Sequence, residues 1–360
     1  MKIVFIGGFN VNPERMLPII KEHECYGIWE SVGLWGVSVP AGGPYKQIQT
    51  ITIDDIETIK PDIIWNLLSP WDGLKTSLKV LNRYPKIPFV RHSQGAATPW
   101  WTTTIRGGSK GNYNFKLFKE VLERSSGFMC PSKYYRDCLI DQGINIKNIP
   151  HYYINGMAYN KDLIGSETTK LYDTDLETHV ALIGRQQHNK DIFLNNNIHL
   201  HYHSVNKIKD NSLYAHSEKY YGDIKFLREK VVNINFILKW KKEKWYTGFS
   251  KYDAGLMHFV GFRGIDVYKG IDINVPGRVN TYMLSGLPPI IVNTKSAILD
   301  FLQRKGNNYY IAFKNDNDLI EKLKDRSYLS GLQENVLKIR HKFSMQEEMK
   351  DIFKFFEGVI

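Results

Sequence analysis

Cations that follow predicted strands are the residues whose type and spacing suggest the clearest chemistry. In "VALIGRQQHNK" a predicted strand ends at Gly184, and Arg185 and Lys190 follow within one loop. Arg forms forked hydrogen bonds to phosphate and Lys supplies a point charge, and open α/β sheets bind ligands at the carboxyl ends of strands. In "NVPGRVNTYMLSGLPPIIV", Arg278 lies in the first turn of a predicted helix that Gly286 ends, where a cation is unfavourable without an anion. These spacings predict a site for a phosphate-bearing ligand.

A glycine pair follows the first predicted strand, "KIVFI". Gly7 and Gly8 would let backbone N–H groups approach a phosphate. A dinucleotide fingerprint needs G-x-G-x-x-G and an acid about 20 residues further on, and "GGFNVN" lacks that spacing. A nicotinamide cofactor is therefore disfavoured, and the pair is either a structural turn or a ligand loop.

The loop "TPWWTTTIRGGSKGNYNF" combines stacking faces with cations. Its aromatic and cationic side chains include Trp100, Trp101, Tyr113, Arg106 and Lys110. The loop lies in Gly73–Lys119, a segment without Asp or Glu, whose summed potential attracts polyanions unless it is only a solvated face. The pattern suits single-stranded nucleic acid, a phosphorylated glycan or a lipid headgroup. The alternative is a loop whose tryptophans pack onto the core. "KWKKEKWY" either lies on an anionic membrane surface or begins an amphipathic helix.

Histidines and cysteines are the residue types in the sequence that could bind a metal ion. His199, His201 and His203 in "HLHYHS" share one face of a predicted strand and are of the type that binds zinc. The sequence shows no second ligand cluster, and "DTD", residues 173–175, lies in a predicted linker, where we interpret the acids as solvated. We therefore expect a surface strand and no metal. The three cysteines are too few and too irregular for a disulfide framework, which favours a cytosolic protein.

The elements that must position these residues form two alternating series of strands and helices. Such alternation predicts βαβ units and mostly parallel sheets, and 360 residues are too many for one ordinary core. We predict an α/β protein with two tandem Rossmann-like domains, residues 1–160 and 161–340, joined by a polar linker from about 155 to 179. Residues 341–360 contain an amphipathic helix with Met349, Ile352, Phe353 and Phe356 on one face. Pro276 suits the first turn of the helix that carries Arg278.

Composition excludes several classes of protein. The chain is 42% hydrophobic and 24% charged, as expected of a globular and not a disordered protein. It has no apolar run of about 18 residues, so a membrane-spanning helix is not expected. The first residues lack a small-residue cleavage site, so we do not expect a signal peptide. The net charge of +11 is shared between the two halves and not concentrated in a tail.

The order of these motifs resembles a known family. "YDAGLMHF" followed by "PGRVNTYMLSGLPPII" resembles the nucleotide-sugar half of GT-B glycosyltransferases, especially family 4-like enzymes (glycosyltransferase group 1). "VALIGRQQHNK" resembles their phosphate loop, and "FVRHSQG" resembles the strand whose final histidine contacts the donor sugar. "GFMCPSKYYRDCLIDQGINIKNI" is similar to a further family segment. The resemblance covers most of the chain. It implies two domains that face each other across a cleft, with the C-terminal helix returning to the first domain.

The resemblance also assigns roles to individual residues. Arg185, Lys190 and Arg278 would contact the donor diphosphate, which Gly7 and Gly8 would approach from the other domain. His92 would contact the transferred sugar.

The family usually has a ribose-binding Glu three residues after the helix cation, and Thr281 occupies that position here. The partner position of the usual E-x7-E pair falls on Ile273, so Asp272 or Asp266 would have to supply the acid.

The implied activity is metal-independent transfer of a hexose from a nucleotide-diphosphate donor, most simply a UDP-sugar, to a hydroxyl. The expected acceptor is a surface glycan or lipid-linked intermediate, bound by the loop after His92. In an inverting enzyme, His92 or Asp72 would be the general base; a retaining enzyme needs none. The first alternative is a phage-type DNA glucosyltransferase acting on modified bases. The second is a non-catalytic sugar- or nucleic-acid-binding protein.

Overall fold

A computed structural model of the chain describes residues 1–7, 16–29, 47–67, 73–93, 109–154, 160–164, 167–183, 196, 198–203, 248–257 and 275–360. These residues form two compact units. The first contains the described parts of 1–160, Val275 and Met345–Ile360; the second contains the described parts of 161–268 and 276–344.

The first unit is built on a parallel sheet. Its strands are β1 (Lys2–Ile6), β2 (Glu24–Ile28), β3 (Gln49–Thr50), β4 (Ile63–Asn66), β5 (Phe89–His92), β6 (Gly127–Cys130) and β7 (His151–Tyr153). Their order across the sheet is β3-β2-β1-β4-β5-β6-β7. Each neighbouring pair is parallel. A parallel sheet is covered on both faces, which is why β1 and β4 are continuous apolar runs and not alternating ones.

Helices cover the two faces of this sheet. They are α1 (Leu17–Glu22), α2 (Ile56–Ile59), α3 (Leu74–Arg83), α4 (Ser109–Glu123), α5 (Lys133–Asp141) and α11 (Met345–Glu357). Alternation along β1 sends Val4 and Ile6 to the core beneath α3, α4 and α5, and Ile3 and Phe5 to the opposite core. That second core is closed by the C-terminal helix α11 through Met345, Met349, Ile352 and Phe356.

The second unit contains another parallel sheet. Its strands are β8 (Thr178–Ile183), β9 (Ile198–His203), β10 (Ala254–Leu256), β11 (Pro289–Val292) and β12 (Ile311–Phe313), in the order β12-β11-β10-β8-β9. Its helices are α6 (Tyr172–Asp175), α7 (Arg278–Leu284), α8 (Ala297–Lys305), α9 (Asp316–Lys324) and α10 (Arg326–Ile339). Two 3₁₀ turns, Lys161–Leu163 and Arg340–Phe343, complete the described elements. The N-cap residues of α8, α9 and α10 are Ser296, Asn315 and Asp325, and each side chain accepts a backbone N–H from the first turn of its helix.

Two details differ from the sequence-based expectation. Helix α7 begins at Arg278 with Gly277 as its N-cap, so Pro276 precedes the helix and does not lie in its first turn. The polar segment predicted as a linker contains α6 and the start of β8, because its acids and Thr178 make tertiary contacts that composition does not reveal. No helix among the described residues is long and apolar enough to span a bilayer. "KWKKEKWY" lies outside the described residues.

Candidate functional site

Helix α7 is joined to the ends of two parallel strands by one side chain, Tyr282. Its hydroxyl accepts the Ile183 N–H at 2.9 Å and donates to the Leu256 carbonyl at 2.9 Å. Ile183 is the last residue of β8, and Leu256 is the last residue of β10. Tyr282 is fully buried, and its hydrogen bond to Leu256 is buried while that from Ile183 is partly buried. They fix α7 at the carboxyl edge of the sheet, where open α/β sheets bind ligands.

Arg278, at the start of the same helix, lies against the Tyr282 hydroxyl. Burial raises the pKa of Tyr282 to about 12, although the charge of Arg278 and a hydrogen bond from its side chain act in the opposite direction. The hydroxyl thus donates one hydrogen bond and accepts another at the strand ends. The cation predicted from the sequence therefore lies beside the strand ends. Helix α7 has seven residues, so this placement of Arg278 matters more than the helix dipole.

Gly255 explains how Tyr282 reaches that position. A Cβ atom built on Gly255 would lie 2.3 Å from Cγ of the Tyr282 ring, far inside van der Waals contact. The ring therefore rests directly on the backbone of β10. Sequence reasoning assigned no role to Tyr282 or Gly255. The available signal was a tyrosine within the apolar face of α7 and a glycine inside the strand pattern "DAGLM".

Thr281 is 1% exposed and lies inside the second unit. The resemblance places a ribose-binding Glu at this position. A buried environment suits a short neutral side chain, whereas a carboxylate there would have to be paired or neutralised. The role of Thr281 in donor binding stays a prediction. Asp272, the suggested replacement, lies outside the described residues, as does Asp266.

Gly7 ends β1 in a left-handed conformation, with φ 74°. Its N–H donates to the Ile28 carbonyl at 2.9 Å and so continues the sheet. Gly7 therefore supplies a backbone conformation that other residues rarely adopt, and its N–H is already engaged within the protein. The approach of Gly7 to a donor diphosphate stays a prediction, in which this N–H would not take part. Gly8 lies outside the described residues.

His92 is the last residue of β5 and is 1% exposed. Its ring stacks on Trp65, with centroids 6.0 Å apart and planes inclined by 14°. The structure thus places His92 at the carboxyl edge of the first sheet, between the ends of β4 and β6. Its contact with the donor sugar and its action as a base stay predictions.

The neighbouring Arg91 lies in Gly73–Lys119, the segment without Asp or Glu, but its burial excludes it from the surface potential predicted for that segment. The side chain is fully buried, donates to the Asn66 amide oxygen and lies 5.7 Å from the centre of the Phe118 ring. Asn66 in turn donates to Ser77. Arg91 therefore organises the interior beneath His92. Five described cations of the segment are exposed: Lys75, Lys79, Arg83, Lys86 and Lys116.

Most of the other predicted site residues cannot be placed. Those outside the described residues are Asp72, Trp100, Trp101, Arg106, Arg185 and Lys190. Lys110 and Tyr113 lie within α4, but the structure describes only their backbone and not their side chains. Within the second unit the structure brings Arg278 and Thr281 together on one helix.

The histidine strand is not the surface strand that the sequence suggested. β9 ends the sheet among the described strands, but His201 is only 8% exposed, and the His199 side chain is 13% exposed. Asp175 is exposed, as the interpretation of a solvated acid requires, and it also pairs with His179 at 3.0 Å. The histidines and acids therefore belong to one cluster. The side chain of His203 lies outside the description.

Known structures share this architecture. Sucrose-phosphate synthase from Thermosynechococcus elongatus aligns with a TM-score of 0.64 and 12% identity over 100% of this chain and 99% of that one. Anabaena HepE, solved in complex with UDP-glucose, gives a TM-score of 0.63 at 11% identity over 99% and 100% of the chains. A UDP-forming α,α-trehalose-phosphate synthase from Burkholderia xenovorans gives 0.61 at 10% identity over 99% of each chain.

No protein-family model matches the chain, and no curated protein sequence matches it. The structural likeness nevertheless extends over both units. The chain therefore has the two-domain fold of GT-B glycosyltransferases.

Proposed function

We propose that the chain is a glycosyltransferase that moves a hexose from a nucleotide-diphosphate donor to a hydroxyl group. The observation that carries this proposal is the position of Arg278, held beside Tyr282 at the carboxyl ends of β8 and β10. A guanidinium there is suited to forked hydrogen bonds with a diphosphate. The fold shared with HepE, whose structure contains UDP-glucose, and with a UDP-forming synthase supports a UDP-sugar as the donor.

In this proposal the leaving diphosphate is neutralised by protein cations and no metal takes part in the transfer. Arg278 would act with Arg185 and Lys190, whose positions in the sequence follow β8. Charge that develops on the leaving oxygen would be stabilised by these preorganised donors. Correct positioning of the two substrates would supply much of the remaining rate enhancement.

We further propose that the acceptor is an anionic glycan or a lipid-linked intermediate in the cytoplasm. The exposed Lys75, Lys79, Lys86 and Lys116 on α3, α4 and the segment after α3 support a polyanionic acceptor. They also support peripheral contact with an anionic membrane surface. Trp100, Trp101, Tyr113, Arg106 and Lys110 would bind the acceptor. His92 or Asp72 would accept the hydroxyl proton in an inverting reaction, because a general base must lie within hydrogen-bonding reach of that proton.

The proposal is tested by measuring UDP binding and release of UDP from a panel of UDP-sugars. Wild-type protein should be stabilised against heat by UDP, since a ligand that binds only the native state raises its stability. Arg278→Ala should weaken UDP binding by roughly 10- to 100-fold, the equivalent of one charge-assisted hydrogen bond. The matched control is Arg304→Ala, an arginine of α8 that is 40% exposed and pairs with Asp300, and it should leave UDP affinity unchanged.

Other results would contradict the proposed function or favour a different one. Unchanged UDP affinity in Arg278→Ala would refute the diphosphate role of this arginine. Binding without turnover of any nucleotide sugar would favour a non-catalytic binding protein. Steeply salt-dependent binding of duplex DNA together with glucose transfer to it would favour a DNA glucosyltransferase, because each neutralised phosphate releases counterions.

A further inference from the structure

Three histidines and two carboxylates meet at the amino ends of β8 and β9. His179 of β8 and His199 of β9 face each other across the strand pair, in register, and their rings stack with centroids 4.6 Å apart. Asp175 contacts the Nε2 atom of His179 through both carboxylate oxygens, at 3.0 and 3.1 Å. Glu177 contacts the Nε2 atom of His199. The cluster thus joins the segment around α6 to the edge strand.

We propose that Asp175, Glu177, His179 and His199 form a binding site for a divalent transition-metal ion, with zinc the ion that fits best. One ligand atom each from Asp175, His179 and His199 lies within 4.8 Å of the other two. Ligand atoms around tetrahedral zinc are roughly 3.4 Å apart, given bonds of about 2.0–2.2 Å. Small side-chain rotations therefore bring the cluster to coordination geometry. The Glu177 carboxylate contacts His199 but is not one of these three mutually close groups, so a larger movement of Glu177, or a water molecule, would complete the coordination.

In this proposal His201 is not a ligand itself but orients the ligand His179. Its Nε2 atom lies 2.8 Å from Nδ1 of His179. When Nδ1–H of His179 donates to His201, the lone pair of Nε2 faces the Asp175 carboxylate, and a cation between these two acceptors satisfies both. Metal-binding histidines commonly donate their second ring N–H to such a partner.

The surroundings hold these groups in place. The His179 side chain is 5% exposed, and its backbone N–H donates to Asp253 at 2.8 Å. His201 packs on the Tyr252 ring at 4.8 Å. Preordering of this kind reduces the entropy that the ligands lose on binding.

The ligand types also select the ion. Two imidazoles with two carboxylates suit Zn²⁺, Co²⁺ or Ni²⁺, whereas Mg²⁺ and Ca²⁺ prefer oxygen ligands alone. The site is structural, because His179 and Ile183 lie at opposite ends of β8, about 13 Å apart at 3.3 Å per residue. The inference therefore stands whether or not the proposed sugar transfer is correct.

The test uses the untagged full chain, stripped of metal with a chelator and titrated with ZnCl₂, CoCl₂ or MgCl₂ in a calorimeter. We expect one zinc per chain, a higher melting temperature with zinc, visible bands of tetrahedral cobalt, and no binding of magnesium. His179→Asn and His199→Asn should abolish stoichiometric binding. His201→Phe should weaken zinc binding by roughly 10- to 100-fold. The control His341→Asn changes an exposed histidine and should retain full binding.

Failure of the wild-type chain to take up zinc would overturn the proposal. The cluster would then be held by hydrogen bonds alone, with Nε2–H of His179 donating to Asp175. Equal binding by wild type, His179→Asn and His199→Asn would overturn it as well. The cobalt spectrum of the wild-type chain tests the ligand set without any variant, so loss of folding in a histidine variant does not prevent the decision. Glu177→Gln, at a side chain 36% exposed, provides a milder variant that should also bind zinc more weakly.

Discussion

The Tyr282 hydroxyl accepts the Ile183 N–H at 2.9 Å, so a side chain of helix α7 holds the carboxyl end of strand β8. The same hydroxyl donates to the last carbonyl of β10, at Leu256. Arg278 lies one turn earlier on the same helix, and its charge acts on this hydroxyl. This coupling links the stability of the second unit to the geometry of the proposed donor site.

Tyr282→Phe should reduce both stability and UDP affinity. The change leaves a buried N–H at Ile183 and a buried carbonyl at Leu256 without this partner, at a cost of about 1–3 kcal/mol. It also removes the contact that orients Arg278. Urea denaturation and calorimetric titration with UDP would measure the two effects.

The matched control is Tyr309→Phe. This buried tyrosine of the same unit donates to the Leu302 carbonyl. Loss of the Tyr309 hydroxyl should lower the stability of the protein and leave its UDP affinity intact. Equal losses of UDP affinity in the two variants would contradict a specific role for Tyr282.

Gly255→Ala should destabilise the protein and displace Tyr282. The added methyl group would lie 2.3 Å from the ring, and such overpacking typically costs about 1–3 kcal/mol. Thermal and urea unfolding would measure the loss. Gly331→Ala in α10 meets no atom within 4 Å and is exposed, so it should stabilise by about 0.5–1 kcal/mol. Changes of the same sign in the unfolding free energy of the two variants would contradict this explanation.

Asp253→Ala should be among the most destabilising single changes in the second unit. Asp253 is fully buried, pairs with Arg326 and accepts the His179 N–H at 2.8 Å. Removing one partner of a buried ion pair costs about 3–5 kcal/mol. Asp54→Ala removes an exposed partner of Arg83 and should change stability little, because water screens that pair. The urea midpoints of the two variants should be compared. Similar midpoints would refute the prediction that the buried Asp253 contributes much more to stability than the exposed Asp54.

Lys170 should make stability depend on pH above neutrality. Burial lowers the pKa of Lys170 to about 8, against the opposing charge of Asp253, and its ammonium donates to the Ser250 and Tyr252 carbonyls. Between that pKa and the ordinary value of 10.5, the unfolded chain binds more protons than the native one. The unfolding free energy therefore rises with pH in this window.

Lys170→Met removes this titration and serves as the reference. The stability of wild type relative to Lys170→Met should increase by about 2 kcal/mol from pH 8 to pH 10. Urea unfolding of both proteins at each pH measures the difference, in which the other titrating groups cancel. A difference that stays constant with pH would show that Lys170 keeps its ordinary pKa in the native state.

Local patterns in the sequence determined much of the architecture. Apolar runs such as "KIVFI" and "HVALI" predicted buried parallel strands, which the two sheets confirm. The stop of α7 after Ser285 follows from Gly286, which adopts φ 75°. These features depend on residues close in the chain, where strand burial and backbone preference act directly.

Tertiary structure decided what distant residues do together. Burial of Arg91 removed it from the basic surface, and the Ile28 carbonyl engaged the Gly7 N–H. Tyr282 acquired its role from the ends of two strands, one of them 99 residues away. Asp175 and His199 became neighbours only when β9 paired with β8. The sequence by itself specified the strands, the helix stop and the cation at Arg278, because those depend on local periodicity. Which side chains meet depends on strand order and burial, which arise only when the whole chain packs.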